Sequence, residues 1–214
     1  MATVTENKKY ICYNGPLENN EKHGHVKLKL GISGAAETGH CGLDALEKAK
    51  SLGKEVIRQG GILITGATTG FPLWASMGAK EENGVVIGLS PASTEREHVE
   101  TYRLPIDYAD LIIYTGFGFS GRDLLFTRSC DALIIGCGRI GTIHEFTIAF
   151  EDGKPVGVLE GPWTMAEQIK DMLSKSNRPA ERVIYDNDPK KLVERLIGMV
   201  EDDRRKIREK AAYI

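Results

Sequence analysis

Gly138-x-x-Gly141-Thr142-x-x-Glu145, inside "DALIIGCGRIGTIHEF" (131–146), puts tight glycines, a hydroxyl and a carboxylate into one short stretch. Glycine lets backbone N–H groups approach a ligand closely, and a helix N-terminus adds partial positive charge, so such a turn suits a phosphate. The same letters contain Gly136-x-Gly138-x-x-Gly141, a dinucleotide fingerprint, with Glu160 about twenty residues on, where a ribose-binding acid would stand. Position argues against that reading. In dinucleotide-binding dehydrogenases the fingerprint opens the nucleotide-binding unit, whereas here four predicted strands precede it. Thr142-x-x-Glu145 is also a capping box, in which Glu145 would only satisfy a free backbone N–H. Local sequence leaves cap and site both open.

Two other turns have the same character, "GISGAA" (31–36) and "TGATTG" (65–70). They add Ser33, Gly34, Gly66, Thr68, Thr69 and Gly70 to Gly138, Gly141 and Thr142 as candidate nucleotide- or phosphate-binding residues. Three such turns at corresponding strand ends point to a phosphate or nucleotide ligand more strongly than one does.

The elements that must hold these turns alternate regularly. "HVKLKLGIS", "GILIT", "GVVIGLSP", "ADLIIYTG", "DALIIG", "KPVGVLE" and "RVIYD" read as strands, separated by helical segments. "LDALEKAKSLGKEVIRQG" predicts an amphipathic helix with Leu43, Leu46, Ala49, Leu52, Val56 and Ile57 on one face and Gly60 as its stop. "DPKKLVERLIGMVEDDRRKIREK" predicts a closing helix with Asp188 as N-cap and Pro189 at its first position. "KKYICYN" suggests an edge strand and "NGPLENNEKHG" an exposed loop. The long polar stretch 91–108 reads as a loop, a lid or a substrate-facing segment. The expectation is one doubly wound, Rossmann-like α/β domain (25–214) with about 6–7 mostly parallel strands covered on both faces, preceded by an extension (1–24).

Composition narrows the function. A net charge of −2 and a pI near 6.2 give no reason to expect nucleic acid as a partner. The start "MATVTENKKY" lacks an apolar segment, and no apolar run approaches the roughly 20 residues of a membrane span, so a cytoplasmic protein is expected. Cys12, Cys41, Cys130 and Cys137 form no C-x-x-C pair, and their spacing suggests neither a zinc site nor a disulfide framework; reduced thiols are expected. His23, His25, His40 and Cys41 lie in polar, glycine-flanked segments and read as surface residues rather than a metal cluster. Cys137 would be a nucleophile only beside an activating histidine, and the sequence places none there.

"GRDLLFTRSCDALIIGCGRIGTIHEF" resembles the LOG (LONELY GUY) family, often labelled lysine decarboxylase-like, within the SLOG nucleotide-binding superfamily. That family carries an Arg-rich helix, a D-A-hydrophobic strand and then P-G-G-x-G-T-x-x-E. Here the helix contributes Arg122 and Arg128, the strand starts at Asp131-Ala132, and the motif runs from Cys137 to Glu145. "ILITGATTGFPLWASMGA" and "GISGAA" are similar to the family's second and first turns, so the likeness spans about residues 25 to 160. The family's proline is Cys137, its second glycine is Arg139, the second turn lacks the triple glycine, and the Lys after the family's Arg is Asp123. These departures mark a divergent branch.

The resemblance implies a nucleoside 5′-monophosphate phosphoribohydrolase, releasing a free base and ribose 5-phosphate. Glu145 would stabilise positive charge on the ribose or orient water, and Arg122 would hold the substrate or keep Glu145 ionised. Gly138, Gly141 and Thr142 would bind the 5′-phosphate, with Arg139 crowding that pocket or adding a second cation. Arg128 has a site role and a surface role equally open, Asp123 reads as facing solvent or pairing with an arginine, and His144 points away from Glu145. The alternative the resemblance carries is a non-catalytic binding module: a nucleotide-signal sensor or a molybdenum-cofactor carrier. A small-molecule nucleotide, a homodimer, and no resident metal or cofactor complete the expectation.

Overall fold

The structure is a computed structural model that describes residues 27–211; the predicted edge strand, the loop after it and the extension 1–24 lie outside the described residues. Seven strands form one sheet in the order β4-β3-β2-β1-β5-β6-β7. They are β1 (Lys29–Ser33), β2 (Ile62–Thr65), β3 (Val86–Ser90), β4 (Leu111–Tyr114), β5 (Ala132–Ile135), β6 (Val156–Leu159) and β7 (Val183–Asp186). Every pairing is parallel. The helices are α1 (Ala45–Arg58), α2 (Phe71–Glu81), α3 (Gly118–Ser129), α4 (Ile140–Glu151), α5 (Met165–Ser176) and α6 (Pro189–Ala211).

Composition explains this layering. β5 "ALII" and β6 "VGVL" are buried throughout, as strands covered on both faces must be. The edge strand β4 alternates instead, leaving Leu111 and Ile113 about half exposed. On α1, Ala45, Ala49, Leu52 and Val56 recur at helical spacing and are buried. Gly53 of α1 lies against the Ala75 carbonyl and Gly78 of α2 against that of Lys50, where a Cβ would come within 1.9 Å. Small residues thus let these two helices approach backbone to backbone.

Leu43 does not share the buried face expected of it. It precedes α1, whose first residue is Ala45, and its side chain is fully exposed. Gly60 does stop α1, with φ +79 just past the helix. At α6, Asp188 Oδ1 accepts hydrogen bonds from the N–H groups of Lys190 (2.8 Å) and Lys191 (3.2 Å), so the predicted cap and Pro189 start are as expected.

The polar segment 91–108 is not wholly irregular, since Glu97–Thr101 forms a π-helical turn. His98 is completely buried there, with Nδ1 2.8 Å from Ser90 Oγ and Nε2 3.0 Å from the Pro105 carbonyl. That histidine pins the segment over the end of β3. Among the described residues no helix is long and apolar enough to cross a membrane.

Candidate functional site

β1 and β5 are neighbours in the sheet, with Ser33 opposite Ile135 at their carboxyl ends. From β1 the strand order runs one way, toward β2 and β4, and from β5 the other way, toward β7. Right-handed crossovers in opposite directions put their helices on opposite faces and open a crevice between the strand ends. The turns are tied together there. Gly136 N–H donates to the Ser33 carbonyl (2.9 Å), Ala35 N–H to that of Cys137 (2.8 Å), and Phe71 N–H to that of Ala35 (2.9 Å). The three glycine-rich turns therefore converge on one cleft of about 330 Å³.

Ser33, Gly34, Gly66, Thr68, Arg122, Arg139, Gly141, Thr142 and Glu145 all line this cleft. Thr69, Gly70 and Gly138 support it from behind. Thr69 Oγ1 donates to the Ala36 carbonyl (3.2 Å). Gly70, at φ +67, lies where a Cβ would meet the Ala35 and Ala36 carbonyls at 2.3 and 2.4 Å. Gly138 packs directly on the Thr142 side chain. No residue of 91–108 lines the cleft. Glu160 pairs with Lys170 away from the cleft, as an incidental dinucleotide fingerprint requires.

α4 starts at Ile140, with Arg139 as an N-cap in extended conformation that makes no side-chain capping bond. Thr142 is thus the third helical residue, and Glu145 lies a full turn inside. The capping-box reading fails for that reason. The first N–H groups of α4, at Ile140, Gly141 and Thr142, have no partner within the helix and leave partial positive charge at the cleft. Thr142, Glu145, Phe146 and Ala149 form the buried stripe of α4, so helical periodicity itself carries Glu145 under the cleft.

Four charged or polar side chains then meet in the interior. Ser33 Oγ–H donates to Glu145 Oε2. Arg122 from α3 reaches Glu145 Oε1 with Nη1 at 3.5 Å and Asp123 Oδ1 with Nε at 3.5 Å. Both contacts exceed good hydrogen-bond length, and the buried Arg122 Nε has no hydrogen-bond partner. The Arg122 guanidinium fills the space a side chain at Gly66 would take; a Cβ there would come within 1.7 Å of Nη1. Burial pushes the Glu145 carboxyl up, to about 8; the Arg122 charge opposes this and the nearby Asp123 carboxylate adds to it.

Asp123, expected to face solvent or pair with an arginine, sits inside the protein. It does pair with Arg122, but it is buried, lines the cleft, and holds His144 Nδ1 at 2.9 Å. The available signal was the two-wide stripe Arg122, Asp123, Phe126, Thr127 on α3. Arg128 takes the surface role, paired with Asp152 at 3.0 Å. Arg139 Nη1 pairs with Glu37 at 2.8 Å across the cleft mouth.

Contrary to the expectation from their spacing, the cysteines are not all reduced thiols. Cys41 and Cys137 form a disulfide with a Cα–Cα distance of 5.6 Å, joining the loop after β1 to the turn after β5. They are 96 residues apart in sequence. Only the β1–β5 adjacency brings them together, so spacing along the chain could not show it. Cys130 is free and buried, its thiol pushed up by burial. His40 Nε2 lies 3.5 Å from Cys137 Sγ and 3.8 Å from Cys41 Sγ, so Cys137 does have a histidine beside it, drawn from far along the chain.

A parallel sheet with glycine-rich turns and a helix N-terminus at its switch point defines a Rossmann-like fold with a cleft at the carboxyl ends of its central strands. The profile of the SLOG cluster4 family matches residues 27–193, and the chain belongs to that family. An uncharacterized protein of Archaeoglobus fulgidus is 32% identical over 135 residues, 63% of this chain and 82% of that one. Among solved structures, the molybdenum cofactor binding protein from the phototrophic bacterium Rippkaea orientalis is similar, with TM-score 0.69 and 26% identity over 82% of this chain and 99% of that one. The molybdenum cofactor carrier protein of Chlamydomonas reinhardtii is similar with TM-score 0.66 and 27% identity, covering 82% and 99%.

Proposed function

We propose that this chain binds and carries a phosphate-bearing small molecule, of nucleotide or molybdenum-cofactor type, in the cleft between β1 and β5, without turning it over. The observation that carries this reading is the environment of Glu145. Burial, with the Asp123 carboxylate beside it, pushes the Glu145 carboxyl up to about 8 against the opposing Arg122 charge and Ser33 hydrogen bond, which favours the protonated form at neutral pH. A protonated acid stabilises a developing ribosyl cation poorly, so the hydrolytic role the LOG family suggests is weakened. Ligand binding is favoured by the opposite features: free N–H groups at the start of α4, the Thr142 hydroxyl, Arg139, and an under-satisfied Arg122 guanidinium facing the cleft. The likeness to molybdenum-cofactor binding and carrier proteins supports the same side.

The phosphoribohydrolase reading keeps one specific observation, the Arg122 to Glu145 approach at 3.5 Å. A bound ligand that drew Arg122 closer would restore the carboxylate. The experiment offers AMP, GMP, IMP, CMP, UMP and an N6-modified AMP to the protein and follows free base and ribose 5-phosphate by chromatography, while calorimetry measures binding of the same nucleotides and of a pterin phosphate. Tight binding without base release is the expected result. Base release that disappears in Glu145→Gln would replace the carrier reading with the hydrolase.

Two copies would associate through the apolar surface that borders the cleft, where Phe117, Phe119 and Ile140 are exposed and Leu124 and Leu125 sit on the outer side of α3. Light scattering on Leu124→Asp/Leu125→Asp tests this: the wild type should be a dimer and the variant a folded monomer. The cytoplasm is the proposed compartment.

A further inference from the structure

We propose that His40, Cys41 and Cys137 form a thiolate–imidazole zinc site when the disulfide is reduced. The proposal is independent of what the cleft binds.

The donor atoms are already gathered. His40 Nε2, Cys41 Sγ and Cys137 Sγ lie within 4.8 Å of one another. The two N···S separations, 3.5 and 3.8 Å, bracket the edge of about 3.6 Å that a tetrahedral centre with Zn–S near 2.3 Å and Zn–N near 2.0–2.1 Å requires. On reduction the two sulfurs need only part to about 3.8 Å, the S···S edge of the same tetrahedron. With the Cα atoms 5.6 Å apart, side-chain rotation alone achieves that. Both sulfurs are fully buried under an exposed imidazole, so the metal would lie just below the surface with one position left for water.

Chemistry favours this set over a bare dithiol. Two thiolates and one imidazole are soft to borderline donors, which select zinc over magnesium or calcium. Reduction by a dithiol reagent transfers two electrons and two protons to the S–S bond, giving two thiols, while the reagent closes to its own disulfide. Zinc then displaces those two protons and the pair binds as thiolates. In a reducing compartment the pair is held as thiols, the form able to take metal.

The site also touches the anion-binding turn. His40 Nε2 lies 3.2 Å from the Gly138 carbonyl, and Arg139 Nε–H donates to Nδ1 at 3.3 Å. That contact puts the ring proton on Nε2. Metal binding through Nε2 moves it to Nδ1 and releases the Arg139 Nε contact, leaving Arg139 to Glu37.

The test uses protein purified under reductant and stripped with a chelator, then titrated with Co(II) alone. One cobalt per chain should bind, with a thiolate-to-cobalt charge-transfer band and tetrahedral d–d bands, and Zn(II) should erase both. The disulfide form and Cys137→Ser should show neither. The exposed His40→Ala should bind at least about tenfold more weakly, as loss of a ligand or its support does. A Cys12→Ser/Cys130→Ala double variant should titrate as wild type, and thermal melts confirm that each variant is folded. A reduced wild type without the charge-transfer band, or a band that survives Cys137→Ser, would overturn the site.

Discussion

Ser33, the last residue of β1, donates its hydroxyl to the carboxyl of Glu145 on α4, joining the central strand of the sheet to the helix that follows its neighbour β5. The bond spans 112 residues of sequence and lies wholly inside the protein. It holds Glu145 where Arg122 and Asp123 also converge, in a buried setting that pushes the Glu145 carboxyl up.

The pH dependence of stability follows from that crowding. The Glu145 carboxyl rises from its usual 4.5 to about 8, so the folded protein binds a proton that the unfolded chain has released. Stability from this group is complete below about 4.5 and is lost as pH rises toward 8. Glu145→Gln removes the titration. The wild type should lose roughly 2–4 kcal/mol relative to the variant between pH 5 and pH 8, read from urea unfolding across that range. Parallel curves would mean that Glu145 is ionised throughout.

Gly66 and Gly141 should separate packing from access. A methyl at Gly66 meets Arg122 Nη1, so Gly66→Ala drives the guanidinium out of its slot. We expect a loss of about 1–3 kcal/mol together with loss of ligand binding. Nothing lies within 4 Å of a Cβ at Gly141, which lines the cleft. Gly141→Ala should therefore melt at or slightly above the wild-type temperature while binding the ligand more weakly. Calorimetry on both variants distinguishes the two effects.

How far the sequence showed these relationships depended on their range. Local features were legible: the apolar run of β5, the Asp188–Pro189 start of α6 and the Gly60 stop each rest on contacts within a few residues. Convergence of the three turns was inferable because a parallel sheet gathers its ligand at strand ends. The start of α4 was not, since Arg139 begins the helix without a side-chain cap and Thr142-x-x-Glu145 mimics one. Leu43 matched the α1 periodicity but precedes that helix, and periodicity alone does not mark where a helix begins. The Cys41–Cys137 bond and the His40 contact required the β1–β5 adjacency, a property of strand order rather than of any spacing along the chain.

Arg139 stands where the LOG motif has glycine, at the mouth of the cleft and the start of α4. Its side chain is about half exposed, so its attraction for an anion is partly screened by solvent and salt. Arg139→Gly should weaken binding of a phosphate-bearing ligand by roughly 3- to 10-fold, the scale of one charge-assisted contact. Affinity should also fall less steeply with added salt than in the wild type. Titrations at low and physiological ionic strength measure both, and an unchanged affinity would place the phosphate away from this turn.

The disulfide gives the last expectation, because one bond links two residues whose separate removal should have the same effect. Cys41 and Cys137 are both fully buried and close a loop across 96 residues, which restricts the unfolded chain severely. Opening it in the absence of metal should cost about 2–4 kcal/mol. Cys41→Ser, Cys137→Ser and chemical reduction should each lower the urea midpoint by a similar amount. The double variant should fall no further than either single one, since the second substitution removes nothing that the first has left. A double variant with additive losses would mean that each sulfur stabilises the protein through its own packing, and that the bond contributes little.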